Sequence, residues 1–430
     1  MAETTPVAGK PQYGLATVVG FAVFFIIGLI TVSKDPLIPH LKGIFQLNYF
    51  QSNLIPFMFF LAYPIMGLPS ARAISRFGYQ GGMVLGLAVT GLGALLFVPS
   101  AIAASYGMFL VALFILASGI TLLQVAINPY VASLGTPEHA SSRLNLGQAI
   151  NSVATTVGPL LASVLILSVA PATAEEIAKH GADWLQNYRT QILSSIKLPY
   201  TVVAVVVFLL AFLISRLKLP TLSIEKTDKT PEPPLSAVFG YRHAVLGAVG
   251  IFMYVGAEVA IGGNLYKFMT LPEIGISSDQ AAARLVSLYW MGAMIGRFIG
   301  SAVLRKVNPA KALMTVSLAA ILAVAVGMFT TGPVAMWTLI AVGLFNAIMF
   351  PTIFALGIAG MGSLTGKTSA LISMAIVGGA LVPIALGAVA DIPSVGLQKA
   401  FFVAAICYAY IAYYGASGYK PLKTVVPIAS

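Results

Sequence analysis

The stretch Gln124-Val-Ala-Ile-Asn128-Pro129-Tyr-Val-Ala-Ser-Leu134-Gly135 returns, with most of its letters changed, as Asn346-Ala-Ile-Met-Phe-Pro351-Thr-Ile-Phe-Ala-Leu356-Gly357. In both copies an amide stands five residues before a proline and a Leu-Gly pair begins five residues after it, at a constant offset of 222 residues. A second echo lies upstream of each copy, Gly67-Leu-Pro-Ser-Ala-Arg72 against Gly300-Ser-Ala-Val-Leu-Arg305. A duplication on this scale means two halves of one design. In apolar chains such repeats mark carriers that hold a solute near the membrane midplane, between the halves.

The composition places those halves in lipid. Of 430 residues, 58% are hydrophobic and 9% charged, against about 25% charged in an ordinary soluble domain. A soluble fold so poor in charge would have no polar coat. The apolar runs are long and continuous, which argues against the alternating strands of a membrane barrel and for helices that satisfy their own backbone groups in lipid.

Runs of about twenty apolar residues are read as spans. Twelve are expected, near 13–41, 48–72, 79–99, 103–134, 143–169, 196–217, 241–266, 280–304, 310–329, 333–362, 367–390 and 397–417. The chain therefore reads as an all-α integral membrane protein with a six-helix half over 1–216, a linker over 217–238 and a second six-helix half over 239–430. The linker is polar and proline-rich, with Pro220, Pro231, Pro233 and Pro234 among its charges. Pro129 and Pro351 are expected to break their helices, since proline removes a helical hydrogen bond. The longest outer connection is expected over 170–198. The first apolar run has no small-residue cleavage site behind it and is read as a retained helix.

Lysine and arginine set the orientation. With the N-terminus inside, fifteen of the 24 basic residues fall on the cytoplasmic side, six fall outside, and Lys34, Arg284 and Arg297 sit in spans or near their ends. Both termini are thus expected in the cytoplasm of a multi-pass protein of the plasma (bacterial inner) membrane. The net charge of +11 is scattered between apolar runs, so it reports topology and no nucleic-acid partner. The single cysteine, Cys407, excludes an intrachain disulfide or a cysteine metal cluster. No Ser-His-Asp order, metal-ligand cluster or phosphate loop falls in the spans, so no enzyme and no cofactor is expected. The expected surroundings are lipid and a small solute, with the chain acting as a monomer.

Polar residues within spans are the candidates for function. Lys34 and Asp35 stand side by side in Thr31-Val-Ser-Lys-Asp-Pro-Leu-Ile-Pro-His40, after an uncharged run. An intramembrane charge marks a cavity or a partner; a buried Asp35 would bind a coupling ion. Lys34 either snorkels to the headgroups or lies beside Asp35 and favours its ionised form. On span four, Gln124 and Asn128 share a face. On span five, Asn145, Gln148 and Asn151 form a stripe. Span seven carries Tyr254, Glu258 and Asn264, and span ten carries Asn346, the repeat partner of Gln124. Amides offer donor and acceptor together, as sugar hydroxyls require, although amides also hold membrane helices to each other. Tyr289 and Trp290 either stack on a ring or face neighbours and lipid.

Asp-Pro-Leu-Ile-Pro at 35–39, Gln-Val-Ala-Ile-Asn-Pro-Tyr at 124–130, Glu138 with Arg-Leu-Asn-Leu-Gly-Gln at 143–148, Tyr-Val-Gly-Ala-Glu at 254–258, Gly-Arg-Phe-Ile-Gly at 296–300 and Phe-Pro-Thr-Ile-Phe at 350–354 occur in order across nearly the whole chain. Together they resemble the major facilitator superfamily, and within it the fucose/galactose/glucose-proton symporters. The resemblance implies alternating-access import of a monosaccharide coupled to protons or, in some members, to sodium. It implies that Asp35 is the coupling carboxylate. Gln124 stands where fucose carriers have glutamate, which leans to a glucose/galactose-like hexose; an amino sugar or other small solute is the alternative. Lys34 replaces the family's usual asparagine, and the resemblance then allows altered coupling or a uniporter. Gly67-x-x-x-Ala71-Arg72 resembles the superfamily's gate signature, with Arg72 and Arg305 as gating residues that pair with helix C-termini.

Overall fold

The computed structural model describes residues 13–33, 37–47, 49–165, 182–220, 234–276 and 279–420. Lys34 and Asp35 lie outside the described residues. Among the described residues, ten helical runs are long and apolar enough to cross a membrane. One of them, within the helix Tyr49–Ile102, is two spans that turn at Gly78 (φ 72°, ψ 178°). A further helix, Ala140–Leu165, carries a stripe of Ser, Asn and Gln on an otherwise apolar run. With that helix, and with Tyr49–Ile102 counted as two, twelve spanning helices lie among the described residues.

They are labelled in chain order. The first half comprises α1 Tyr13–Ser33, α2 49–77, α3 79–102, α4 Tyr106–Ala132, α5 Ala140–Leu165 and α6 Ala182–Arg216. The second comprises α7 Arg242–Met269, α8 Asp279–Val303, α9 Pro309–Phe329, α10 Gly332–Ile358, α11 Gly362–Ala390 and α12 Gly396–Gly418. The ends of α6 and α7 that meet the linker define the linker end of the bundle. Across the halves, α5 packs on α8 and α2 on α11.

Local chemistry sets the helix ends. Asn308 Oδ1 accepts from the backbone N–H groups of Ala310 (3.0 Å) and Lys311 (3.2 Å), with Pro309 at the first helical position of α9. At the end of α4, the Arg143 guanidinium donates to the carbonyls of Val131 (3.2 Å), Ala132 and Thr136 (2.9 Å). A cation there satisfies carbonyls that the helix leaves unpaired.

Three boundaries differ from the sequence expectation. First, α4 runs unbroken through Pro129, which sits in its last turn. The carbonyl that Pro129 cannot reach, that of Val125, accepts instead from Ser369 Oγ of α11 at 2.9 Å. In α10 the interruption comes before Pro351, between Asn346 and Met349, where the proline has no N–H to offer the carbonyl of Ala347. Second, α6 starts at Ala182, so 182–198 is helix and not outer loop. From its early turns Arg189 caps the short helix Leu37–Ile44 by donating to the Ile44 carbonyl at 2.8 and 3.1 Å. Third, the last residues of the expected linker belong to the second half. Leu235–Gly240 forms a 3-10 turn and fully buried Val238 packs with Ala244, Met361 and Leu364.

Candidate functional site

Between the halves, at the level where Gln124 and Glu258 face each other, lies a cavity of about 210 Å³. The first half contributes Gln124 from α4, Gln148 and Asn151 from α5, and Tyr63 with Phe59 and Phe60 from α2. The second contributes Tyr254 and Glu258 from α7, Arg297 from α8 and Phe350 from α10. Each wall thus pairs hydrogen-bonding groups with aromatic faces, and Tyr254 and Phe350 lie 6.3 Å apart, centroid to centroid. Sites for small ligands are built this way, with apolar lining and a few placed polar groups.

The polar groups are held in position. Gln124 Nε2 donates to the Tyr63 hydroxyl at 3.0 Å. Asn151 Nδ2 donates to the Phe24 carbonyl at 2.9 Å. That bond requires α1 and α5 to touch, and Gly28 permits it, since a Cβ there would lie 2.4 Å from the Asn151 carbonyl oxygen. In the second half Tyr254 donates to Glu258 Oε1 at 2.7 Å, and Arg297 Nη2 stands 3.6 Å from the same oxygen. Behind them, Tyr289 donates to the Glu258 carbonyl (3.1 Å), Asn346 Nδ2 to the Tyr289 hydroxyl (2.8 Å), and Tyr408 to Asn346 Oδ1 (2.8 Å). This buried relay ties α7, α8, α10 and α12 together and anchors the backbone of α7 at Glu258.

The structure therefore brings Gln124, Gln148, Asn151, Tyr254 and Glu258 to one cavity and leaves three expected binding residues outside its wall. Asn128 is buried and its Nδ2 returns to the Gln124 carbonyl of its own helix at 3.0 Å. Asn264 likewise bonds back to Ala260, six residues past Glu258 and about 9 Å further along α7. Asn346 is fully buried and serves as the middle of the tyrosine relay. Tyr289 belongs to that relay too, whereas Trp290 is exposed at 44%. Arg72 and Arg305 lie exposed at the linker end. Arg297 and Tyr63 escape the sequence reading, as do the aromatic wall residues Phe59, Phe60 and Phe350. Arg297 carries a signal in its position, a guanidinium inside a span in Gly-Arg-Phe-Ile-Gly; Tyr63 carries none, being one of many aromatic residues on apolar helices.

Two repeated helical halves enclosing a small polar cavity define a membrane solute carrier. The profile of the Major Facilitator Superfamily matches residues 16–384, and the chain belongs to that superfamily. It is 46% identical over 416 residues to a glucose/galactose transporter of Brucella abortus, covering 97% of each chain. It is 31% identical over 399 residues to the L-fucose-proton symporter of Escherichia coli, covering 91% of this chain and 90% of that one. Its structure is similar to the crystal structure of the superfamily transporter FucP in the outward conformation, with a TM-score of 0.87, 30% identity, and coverage of 94% and 98%.

Proposed function

We propose that the protein imports a glucose/galactose-like hexose by alternating access, in symport with a cation. The observation that carries this is the cavity of about 210 Å³ walled by both halves, with Gln124, Gln148 and Asn151 facing Glu258 and Tyr254. A hexose presents a ring of hydroxyls, each donor and acceptor, around C–H faces. Amides, a carboxylate and a guanidinium meet the hydroxyls; Phe59, Phe60 and Phe350 meet the C–H faces. The similarity to glucose/galactose transporters supports the substrate class, and glutamine at position 124 agrees with it.

Asp35, with Lys34 beside it, takes the coupling role that the family resemblance implies, and the ion is a proton or sodium. Seating both termini in the cytoplasm of the inner membrane follows from the basic residues at the linker end. The chain acts as a monomer, since one chain supplies both walls of the cavity. The linker between α6 and the Leu235–Gly240 turn connects two halves that rock about this site.

Uptake of radiolabelled D-galactose into proteoliposomes, with proton and sodium gradients imposed separately, tests the proposal. Accumulation driven by one gradient is expected. Failure of D-glucose and D-galactose to compete with each other, or of either gradient to drive accumulation, rejects it. The same assay on Lys34→Asn is expected to change the pH profile of uptake; identical profiles remove Lys34 from the coupling mechanism.

A further inference from the structure

Arg297 makes contacts that hexose recognition does not require. Its Nη2 lies 3.6 Å from Glu258 Oε1 in its own half, while its Nη1 donates to Ser152 Oγ of α5 in the other half. Its backbone carbonyl also accepts across the halves, from Asn145 Nδ2 at 2.7 Å. Toward the linker end the same α5–α8 seam continues with Ser142 Oγ donating to the Ser301 carbonyl at 2.5 Å. A glycine brings the helices this close, since a Cβ on Gly300 would lie 2.5 Å from Asn145 Nδ2. The guanidinium thus sits where the seam meets the cavity wall.

Charge decides which of these contacts can break. Glu258 and Arg297 are both largely withdrawn from solvent, at 12% and 14% side-chain exposure, and parting them would strand two charges. They belong to the same half and move together. The contact with Ser152 is of another kind, because it joins a cation to a neutral hydroxyl across two bodies that must separate if the linker end is to open. Ser152 occupies one of the five N–H donors of the guanidinium fork, and it does so within reach of the cavity.

We propose that Arg297 is a latch: it holds the linker end closed through Ser152, and a substrate hydroxyl releases it by taking the place of the Ser152 hydroxyl on Nη1. The exchange swaps one hydroxyl acceptor for another, so the guanidinium loses no bond while the seam loses one. This rests on the hexose reading and adds to it a positioning residue that ties occupancy of the cavity to separation of the halves.

The test reads accessibility of the seam. In a Cys407→Ala background, Ser301→Cys is labelled by a membrane-impermeant maleimide offered at the linker end, with and without D-galactose. Galactose is expected to speed labelling. Adding Ser152→Ala keeps the ion pair, and it is expected to raise the galactose-free rate about tenfold, the population shift given by one charge-assisted hydrogen bond, and to shrink the further gain from galactose. Arg297→Lys keeps a charge for Glu258 but lacks the fork, and is expected to fall between the two. A scaffold role for Ser152 would lower thermal stability and leave both labelling rates in place. Unchanged labelling in Ser152→Ala, with the galactose gain intact and the natural chain still taking up galactose, overturns the latch alone. Absence of both uptake and any sugar-dependent labelling overturns the hexose reading and the latch with it.

Discussion

A guanidinium inside a membrane helix costs up to about 2.5–3.5 kcal/mol on insertion scales, and Arg297, within α8, is kept there by Glu258 Oε1 at 3.6 Å. Removing one member of such a pair is more damaging than removing both, because the survivor is an uncompensated charge. Glu258→Gln is therefore expected to destabilise the protein by about 3 kcal/mol or more, seen as a lower midpoint of thermal unfolding in detergent. Glu258→Gln combined with Arg297→Met should regain much of that loss and transport nothing. Equal destabilisation in the single and double variants would show that the pair is not the source. On the opposite wall, the Tyr63 hydroxyl accepts from Gln124 Nε2 at 3.0 Å. Tyr63→Phe leaves the amide free to rotate away from a bound sugar. Galactose affinity is expected to fall about tenfold, or 1.4 kcal/mol, with little change in thermal stability, and equilibrium binding to the purified protein measures it.

Single backbone positions shape whole helices here, and they differ in how plainly the sequence announces them. The twelve spans and the repeat are legible because lipid demands continuous apolar runs and duplication preserves spacing. The proline breaks are less so, since the consequence of a missing N–H depends on which group takes the freed carbonyl. For Val125 it is Ser369, 244 residues away, and no local pattern reveals that. Asn128, Asn264 and Asn346 have the residue type of a sugar site but spend their amides inside the protein, and only three-dimensional placement separates them from Gln124, Gln148 and Asn151. Gly78 is a case where the element-scale cost can be isolated. It turns α2 into α3 with φ 72° and ψ 178°, and an added Cβ would meet nothing within 4 Å. Gly78→Ala is thus expected to destabilise through the backbone alone, by about 1–3 kcal/mol, without altering galactose binding. An unchanged unfolding midpoint would mean that the corner relaxes to another backbone conformation.

For the whole molecule, the seam at the linker end limits what the halves can do. The bonds from Ser142 to Ser301, Asn145 to Arg297 and Ser369 to Val125 each join one half to the other, and the Ser142 bond lies ten residues of α5, about 15 Å, from the level of Ser152. Alternating access requires them to part on every cycle while the cavity keeps its two walls. Binding from the opposite end and delivery at the linker end should therefore be separable. A short cleavable bis-maleimide joining Ser142→Cys to Ser301→Cys, in the Cys407→Ala background, is expected to abolish net galactose uptake. It should leave equilibrium galactose binding from the opposite end near its starting value, and cleavage of the bridge should restore uptake. Transport that persists through the cross-link would mean that the solute leaves by a route that does not need this seam to open, and the two-body rocking of the halves would have to be abandoned.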